Sequence, residues 1–474
     1  MTKTLDVDIC VIGAGSGGLS VAAGAVQMGA SVALVEKGKM GGDCLNYGCV
    51  PSKALLAAGH AAEAVRRARR FGIEASAATI DPAGVYGHVR DTIAAIAPVD
   101  SVERFEGMGV KVIQAQGRFS GPRTVIADGV QIKARRFVVA TGSSAFVPPI
   151  PGLDGVPYLT NENLFDLRAV PDHLVVIGGG PVGIEMAQAH RHLGARVTVL
   201  EMASILPNDD PELVEPLRRR LIEDGIDLRE GVTVTGVEKA GNGVAVAVTR
   251  DGAKSRIEGT HVLVAAGRRP TVVGLDLDKA GIVFDVKGIQ VNDRLRTTNR
   301  RVYAIGDVAG RQQLTHVANH HAGIVIRNVL FRLPSRIETH AVPWVTYTAP
   351  ELAQVGPTEV EARRDGADIR VLRWPFADND RARAEGDIDG LVKAVVTSRG
   401  RIIGAGIVGP RAGELIQTWV LAIAEGLKIG AVAKMIAPYP TLGEANKRAA
   451  GSFFTPALFG ERTRRLVRFL RRFG

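Results

Sequence analysis

The chain has 474 residues, 46% of them hydrophobic and 23% charged, with a formal net charge of +10. That length exceeds what one hydrophobic core supports, so about two to four domains are expected and a small binding module is excluded. No apolar run approaches the roughly 20 residues that span a bilayer, and the start MTKTLDVDIC has no apolar signal-peptide core, so a cytoplasmic protein is expected. The arginines are spread along the chain without an RNA- or DNA-binding motif, which argues against nucleic acid and suits small anionic ligands equally well. Three cysteines cannot build a disulfide framework, and in a reducing compartment a closely spaced pair is either redox-active or metal-binding.

The first unit in chain order runs from VDICVIGAGSGG to VALVEK: an apolar strand, a loop with Gly13, Gly15 and Gly18, a helix of small residues, and a second strand ending at Glu36. The first glycine allows a tight turn, the second lets a pyrophosphate approach the backbone, and the third lets helix pack on strand. The helix N-terminus then faces the phosphates.

Next comes GGDCLNYGCVPSK, with Cys44 and Cys49 at the predicted start of the helix PSKALLAAGHAAEAVRR. On an ideal helix the two would face about 140° apart, so a disulfide between them demands a distorted turn. Gly48 and Pro51 supply that distortion, and a helix N-terminus favours a reactive thiolate. Redox activity is the expectation; the alternatives are a structural zinc site or two inert thiols. Zinc would need further ligands at metal spacing, and Cys10 lies within the first strand, where a buried small apolar residue is expected. No structural metal is expected.

A second copy of the nucleotide unit runs from LVVIGGGPVG to VTVLEM, with Gly178, Gly180, Gly183 and then Glu201, the acid again eighteen residues past the third glycine. Strand-like RIEGTHVLVAAGRRP and RVYAIGDVAG follow. From about His340 the pattern changes to alternating strands and then helices, a separate α+β domain. The last stretch, RTRRLVRFLRRFG, places Leu466, Phe469, Leu470 and Phe473 on one helical face amid Arg462, Arg464, Arg465, Arg468, Arg471 and Arg472. Such a helix more often docks on its own protein with a solvated outer face; otherwise it contacts a membrane surface or an acidic partner.

In order, GAGSGG, GGDCLNYGCVPSK, VVATGS, GGGPVGIE, VLVAAGRRP, VYAIGD, VTYTAPELAQVG and IVGPRAGELI resemble the pyridine nucleotide-disulfide oxidoreductases over essentially the whole chain. This is the family of dihydrolipoamide dehydrogenase, glutathione reductase and mercuric reductase. The resemblance implies an α/β fold of two Rossmann-like domains, for FAD and NAD(P), plus a C-terminal α+β dimerisation domain, and hence a homodimer. It divides the chain into 1–150 for FAD, 151–270 for NAD(P), 271–339 returning to the FAD domain, and 340–474 for dimerisation with the basic tail.

It also implies roles. Cys49 resembles the thiol on the flavin face and Cys44 the outer interchange thiol. Lys53 resembles the lysine near flavin N5, and Glu185 its acidic partner beside the nicotinamide. Asp307, with Gly306, resembles the FAD ribityl site, and Glu36 the acid on the adenosine ribose. Thr141, Gly142 and Gly267 belong to cofactor-binding motifs, and His316 opens a segment placed near the flavin; His320 and His321 are expected to be structural. Glu201 favours NAD(H) over NADP(H), because an acid there accepts from a free 2′-hydroxyl and repels a 2′-phosphate.

The resemblance breaks near the C-terminus. Lipoamide and glutathione enzymes carry a His–Pro and, five residues after the His, a Glu, as the acid/base pair contributed across the dimer. Here APYPTLGEANKR keeps Glu444 but has Tyr439 in place of histidine. Histidine titrates near pH 6.5, whereas tyrosine's pKa of about 10 makes it a poor base at neutrality. Tyrosine here resembles mercuric reductase, in which thiolates hold the metal ion, so Cys44 and Cys49 become candidate transient Hg(II) ligands. Yet mercuric reductases typically have a second, C-terminal cysteine pair, while this sequence ends RRFG. The expected activity is FAD-dependent transfer from NAD(P)H through the dithiol to a small acceptor, a soft metal ion or a disulfide. The alternatives are a dihydrolipoamide dehydrogenase with a displaced base and a redox-silent FAD-containing scaffold tethered by its tail.

Overall fold

The run TLDVDICVI forms the strand Thr4–Ile12, and its alternation feeds two cores at once: Cys10 and Ile12 pack into one buried cluster, Ile9 and Val11 into another. A strand buried on both faces is what a parallel sheet covered on two sides requires. In the computed structural model, which describes residues 3–76, 78–310 and 312–473, the chain forms two compact units. The first comprises residues 1–178, 189–200 and 232–337; the second comprises 179–188, 201–231 and 338–474.

In the first unit Thr4–Ile12 lies between the parallel strands Val32–Glu36 and Val130–Val139, with Lys111–Gln114 and Val302–Ala304 extending the parallel set. The helix Ser16–Gln27 follows the first strand directly, its Leu19, Val21, Ala22 and Ala25 buried. Cys10 is fully buried, as expected, and burial pushes its thiol up to about 12, which leaves it inert at neutral pH. The second nucleotide unit supplies another parallel set, in which His173–Ile177 pairs with Arg196–Glu201 on one side and His261–Val264 on the other. Beside it stands the antiparallel meander of Thr233–Ala240, Gly243–Arg250 and Ala253–Gly259.

The second unit holds a five-stranded antiparallel sheet ordered Pro343–Thr346, Glu351–Val355, Ile402–Gly409, Leu391–Thr397, Ile369–Pro375, followed by helices, as the sequence pattern predicts. Trp419 and Phe376 anchor its core. Trp419 buries its ring while Nε1 donates to Asn446 at 2.9 Å, satisfying the one polar atom of the side chain. Lys393, in mid-strand, is 3% exposed and lies 2.7 Å from Asp210, 2.7 Å from Glu212 and 3.0 Å from Glu359. The basic tail forms the helix Glu461–Leu470, and no residue of it is buried. The docked arrangement expected for it is therefore not what the structure shows. Among the described residues, no helix is long and apolar enough to cross a membrane.

Candidate active site

The two glycine loops repeat one device atom for atom. Gly13 has φ +107°, and a Cβ there would meet the Ala140 carbonyl oxygen at 2.4 Å; Gly178 has φ +116°, and a Cβ would meet the Ala265 carbonyl oxygen at 2.4 Å. Each loop thus leaves its strand against the next parallel strand with no room for a side chain. The acid that ends each second strand then fastens its loop. Glu36 accepts from the N–H groups of Ala14 and Gly38, both at 2.6 Å. Glu201 accepts from Gly179 at 2.7 Å and Ala203 at 2.9 Å.

Gly15 and Gly18 follow Gly13 at the start of Ser16–Gln27, and Gly180 and Gly183 hold the matching places around Pro181–His192. A Cβ on Gly180 would meet nothing within 4 Å, and one on Gly15 nothing nearer than the Gly42 Cα at 3.9 Å, so both loops present bare backbone to open space at a helix start. Uncovered backbone at a helix N-terminus is what lets a pyrophosphate approach closely.

Cys44 and Cys49 do not share a helix. Cys44 lies in the short helix Gly42–Asn46, and Cys49 is the first residue of Cys49–Arg67, because Gly48, with φ −128° and ψ −113°, breaks the path between them. The break also brings the sulfurs together: both thiols are free, Cys44 half-buried and Cys49 exposed, and they share a hydrogen bond. That bond is the main cause holding Cys49 down at about 6; Thr315 and the positive Lys53 one turn along add to it, while partial desolvation and Asp43 oppose it. The same bond, then burial, pushes Cys44 up. Within the pair Cys49 is therefore the thiolate and Cys44 the thiol.

Thr315 was not singled out by the sequence. Its Oγ1 lies 3.3 Å from Cys49 Sγ, and it opens the helix Thr315–Val329, so Cys49 stands at two helix N-termini at once, where anions are favoured. His316 follows it. His321, further along, is buried, and its Nδ1 accepts from the Gly306 N–H at 3.2 Å, the structural role expected for it. Asp307, beside Gly306, is pushed up by burial; Ser143 Oγ donates to it at 2.5 Å.

Ser143 in turn accepts from Arg268 Nε at 2.7 Å, and Arg268 pairs with Asp43 at 3.1 Å, whose other oxygen accepts from Asn161 at 2.9 Å. A polar chain thus ties the Asp307 turn to the residue preceding Cys44. Gly142 (φ +66°) and Gly267 (φ +114°) border it with open space where a Cβ would stand, and Thr141 Oγ1 donates to Thr271 at 2.7 Å. Gly42 also packs on the phosphate loop, since a Cβ there would fall 2.6 Å from the Gly15 Cα. Of these, Ser143 and Arg268 lie inside quoted motifs, whereas nothing near Asn161 marks it.

In the second unit Glu185 is 4% exposed and accepts from the Tyr347 N–H at 2.9 Å. Tyr439 is 70% exposed and donates to Asp380 at 2.9 Å. Asp380 first, and Glu444 more weakly, push its phenol up, so it stays protonated. Glu444 is held by Arg448 at 2.8 Å. The side chains fit FAD at the first loop and a nicotinamide nucleotide at the second: glycine cradles, a terminal acid in each, and an exposed thiolate near the first.

Comparison with known proteins agrees with this geometry. Mercuric reductase from Bacillus cereus is 36% identical over 451 residues, 94% of this chain and 72% of its own length. Dihydrolipoyl dehydrogenase from Thermus scotoductus is 37% identical over 466 residues, 95% of this chain and 98% of its own. Among solved structures, the Cu(II) complex of the HOCl-induced flavoprotein disulfide reductase RclA from Escherichia coli aligns with a TM-score of 0.83 and 28% identity, covering 93% of this chain and 98% of that one. Residues 342–450 match the dimerisation domain of the pyridine nucleotide-disulphide oxidoreductases, which supports a homodimer. With residues 7–322 matching the main domain of the same family, the chain belongs to the pyridine nucleotide-disulphide oxidoreductases, enzymes that use FAD.

Proposed function

We propose that this oxidoreductase takes electrons from NAD(P)H, with NAD(H) preferred, and delivers them through the Cys44–Cys49 pair to a soft metal ion such as Hg(II). The observation that carries this reading is the Tyr439 phenol, exposed and kept protonated by Asp380 and Glu444 at the place where a proton-shuttling histidine would serve dithiol exchange. A protonated phenol is no base at neutral pH. A soft metal ion needs none: it is held by thiolates, and Cys49 is already ionised above about pH 6. Mercuric reductase and the Cu(II)-complexed disulfide reductase among the relatives support the same class of acceptor.

Bound FAD supplies the two-electron relay between the nicotinamide and the thiols. The chain's own groups do the rest. Lys53 favours the Cys49 thiolate, Cys44 meets the acceptor, and Glu185, anchored on the Tyr347 N–H, lines the nicotinamide side. The backbone around Gly306 and Asp307, with His316, borders the flavin. Glu201 faces the ribose and rejects a 2′-phosphate, which is the basis of the NAD(H) preference. The division 1–150, 151–270, 271–339 and 340–474 and a cytoplasmic location belong to the same proposal.

The test is anaerobic NADH oxidation by the purified flavoprotein with Hg(II) and, in parallel, with oxidised lipoamide. Consumption with Hg(II) at least about tenfold faster supports the reading; faster lipoamide turnover overturns it and makes the chain a dihydrolipoamide dehydrogenase with a displaced base. No turnover with any acceptor would leave the tethered, redox-silent scaffold.

A further inference from the structure

We propose that the C-terminal helix Glu461–Leu470, with Arg471, Arg472 and Phe473 after it, is an in-plane anchor for an anionic lipid bilayer surface. At about 100° per residue, Phe469, Phe473, Leu466, Leu470 and Val467 fill one arc of about 160°. Arg471, Arg464, Arg468, Arg472 and Arg465 fill the opposite arc, while Arg462, in the first turn, falls at the angle between Phe469 and Phe473 and is the one charge on the apolar side. The stretch has six arginines to one glutamate, and that glutamate is already engaged by Arg468 at 2.7 Å and Arg465 at 3.4 Å.

None of the apolar arc is covered. Leu466 is 55% exposed, Phe469 53%, Leu470 53% and Phe473 75%, and the preceding Leu458 and Phe459, at 58% and 62%, carry the apolar surface further. The Phe469 and Phe473 rings already meet edge to face at 5.2 Å, so the face is formed before anything docks on it. A contiguous exposed apolar patch of this kind marks an interaction surface.

The charge pattern selects the occupant. An acidic protein or a nucleic acid would neutralise the arginines and leave the phenylalanines and leucines wet. A second copy of this chain would bury the apolar arc but leave the opposite arginines without anionic partners, and the match to the family's dimerisation domain ends at residue 450, before this helix begins. An anionic bilayer meets both demands. The apolar arc enters the acyl boundary, and the long arginine side chains reach the phosphates. At ten residues, roughly 15 Å, the helix is too short to span and lies flat.

The experiment is flotation of the full-length flavoprotein with phosphatidylcholine vesicles, with and without phosphatidylglycerol, at low and high salt. The expected result is co-flotation with the anionic vesicles alone, weakened by salt. Arg464→Gln and Arg468→Gln should each lower partition about fivefold, and Phe469→Ser with Leu470→Ser should abolish it, with flavin absorbance unchanged in every variant. Equal binding to both vesicle types, or variants that bind like the parent, overturns the proposal. So does the absence of vesicle binding; if Phe469→Ser with Leu470→Ser then also shifts the sedimentation velocity towards monomer, the face covers a second copy. The outcome is independent of which acceptor Cys44 reduces.

Discussion

Cys49 owes its character to atoms far apart in sequence: Cys44 five residues before it, Lys53 four after it, and Thr315 from another helix altogether. Its pKa is depressed from an ordinary thiol value to about 6, so the thiolate persists as pH falls through neutrality and is lost only below that value. Alkylation by iodoacetamide, followed by mass spectrometry of the modified peptide, should therefore proceed at Cys49 with a midpoint near pH 6. Cys44→Ala removes the principal stabilising bond and should move that midpoint upward; an unmoved midpoint would show that Cys44 is not its cause. The cysteines were legible because the glycine and proline around them are local signals. Thr315 was not, since no local pattern tells which helix start will be aimed at a sulfur 266 residues away.

At the scale of elements, the glycine loops were the most legible part, because one residue type answers one steric demand. Gly42 was the omission: its φ is +61°, and its Cα packs on Gly15, a closeness set by the meeting of two loops rather than by either sequence. Gly42→Ala should destabilise the fold by about 1–3 kcal/mol and loosen retention of FAD, read as a lower melting temperature and as flavin released on gel filtration. In the second unit, Lys393→Met would strand the buried Asp210 and cost about 3–5 kcal/mol in thermal or denaturant unfolding. The neighbouring Glu212, held by Arg373 and then Lys393, is depressed from 4.5 to about 2. Its contribution to stability is present above the unfolded value and is lost as pH falls from about 4.5 towards 2. Because Glu212 is partly exposed, that loss should be modest and further reduced by salt.

For the whole molecule, the fold class followed from the duplicated strand–loop–helix pattern and the change of pattern near His340, and the five-stranded sheet bears that reading out. The tail did not follow, since an amphipathic arc looks the same in sequence whether or not something covers it. Tyr439 was visible in the sequence only as a replacement; the structure adds that Asp380, 59 residues before it, accepts from the phenol and pushes its pKa up further. Tyr439→His, with Glu444 retained, should therefore raise lipoamide turnover by at least about tenfold at neutral pH, measured as NADH oxidation in steady state. A variant no faster than the parent would show that proton transfer at this position is not what limits disulfide reduction.

The carboxylate at the end of each nucleotide strand has a consequence for anyone redesigning this enzyme. Glu201 is both the group proposed to choose between nucleotides and the clip that holds Gly179 and Ala203 in place. Converting it to arginine to welcome a phosphorylated ribose would release that clip in the same stroke. Changing cofactor preference here is thus a problem of at least two residues, one to receive the new phosphate and one to refasten the loop.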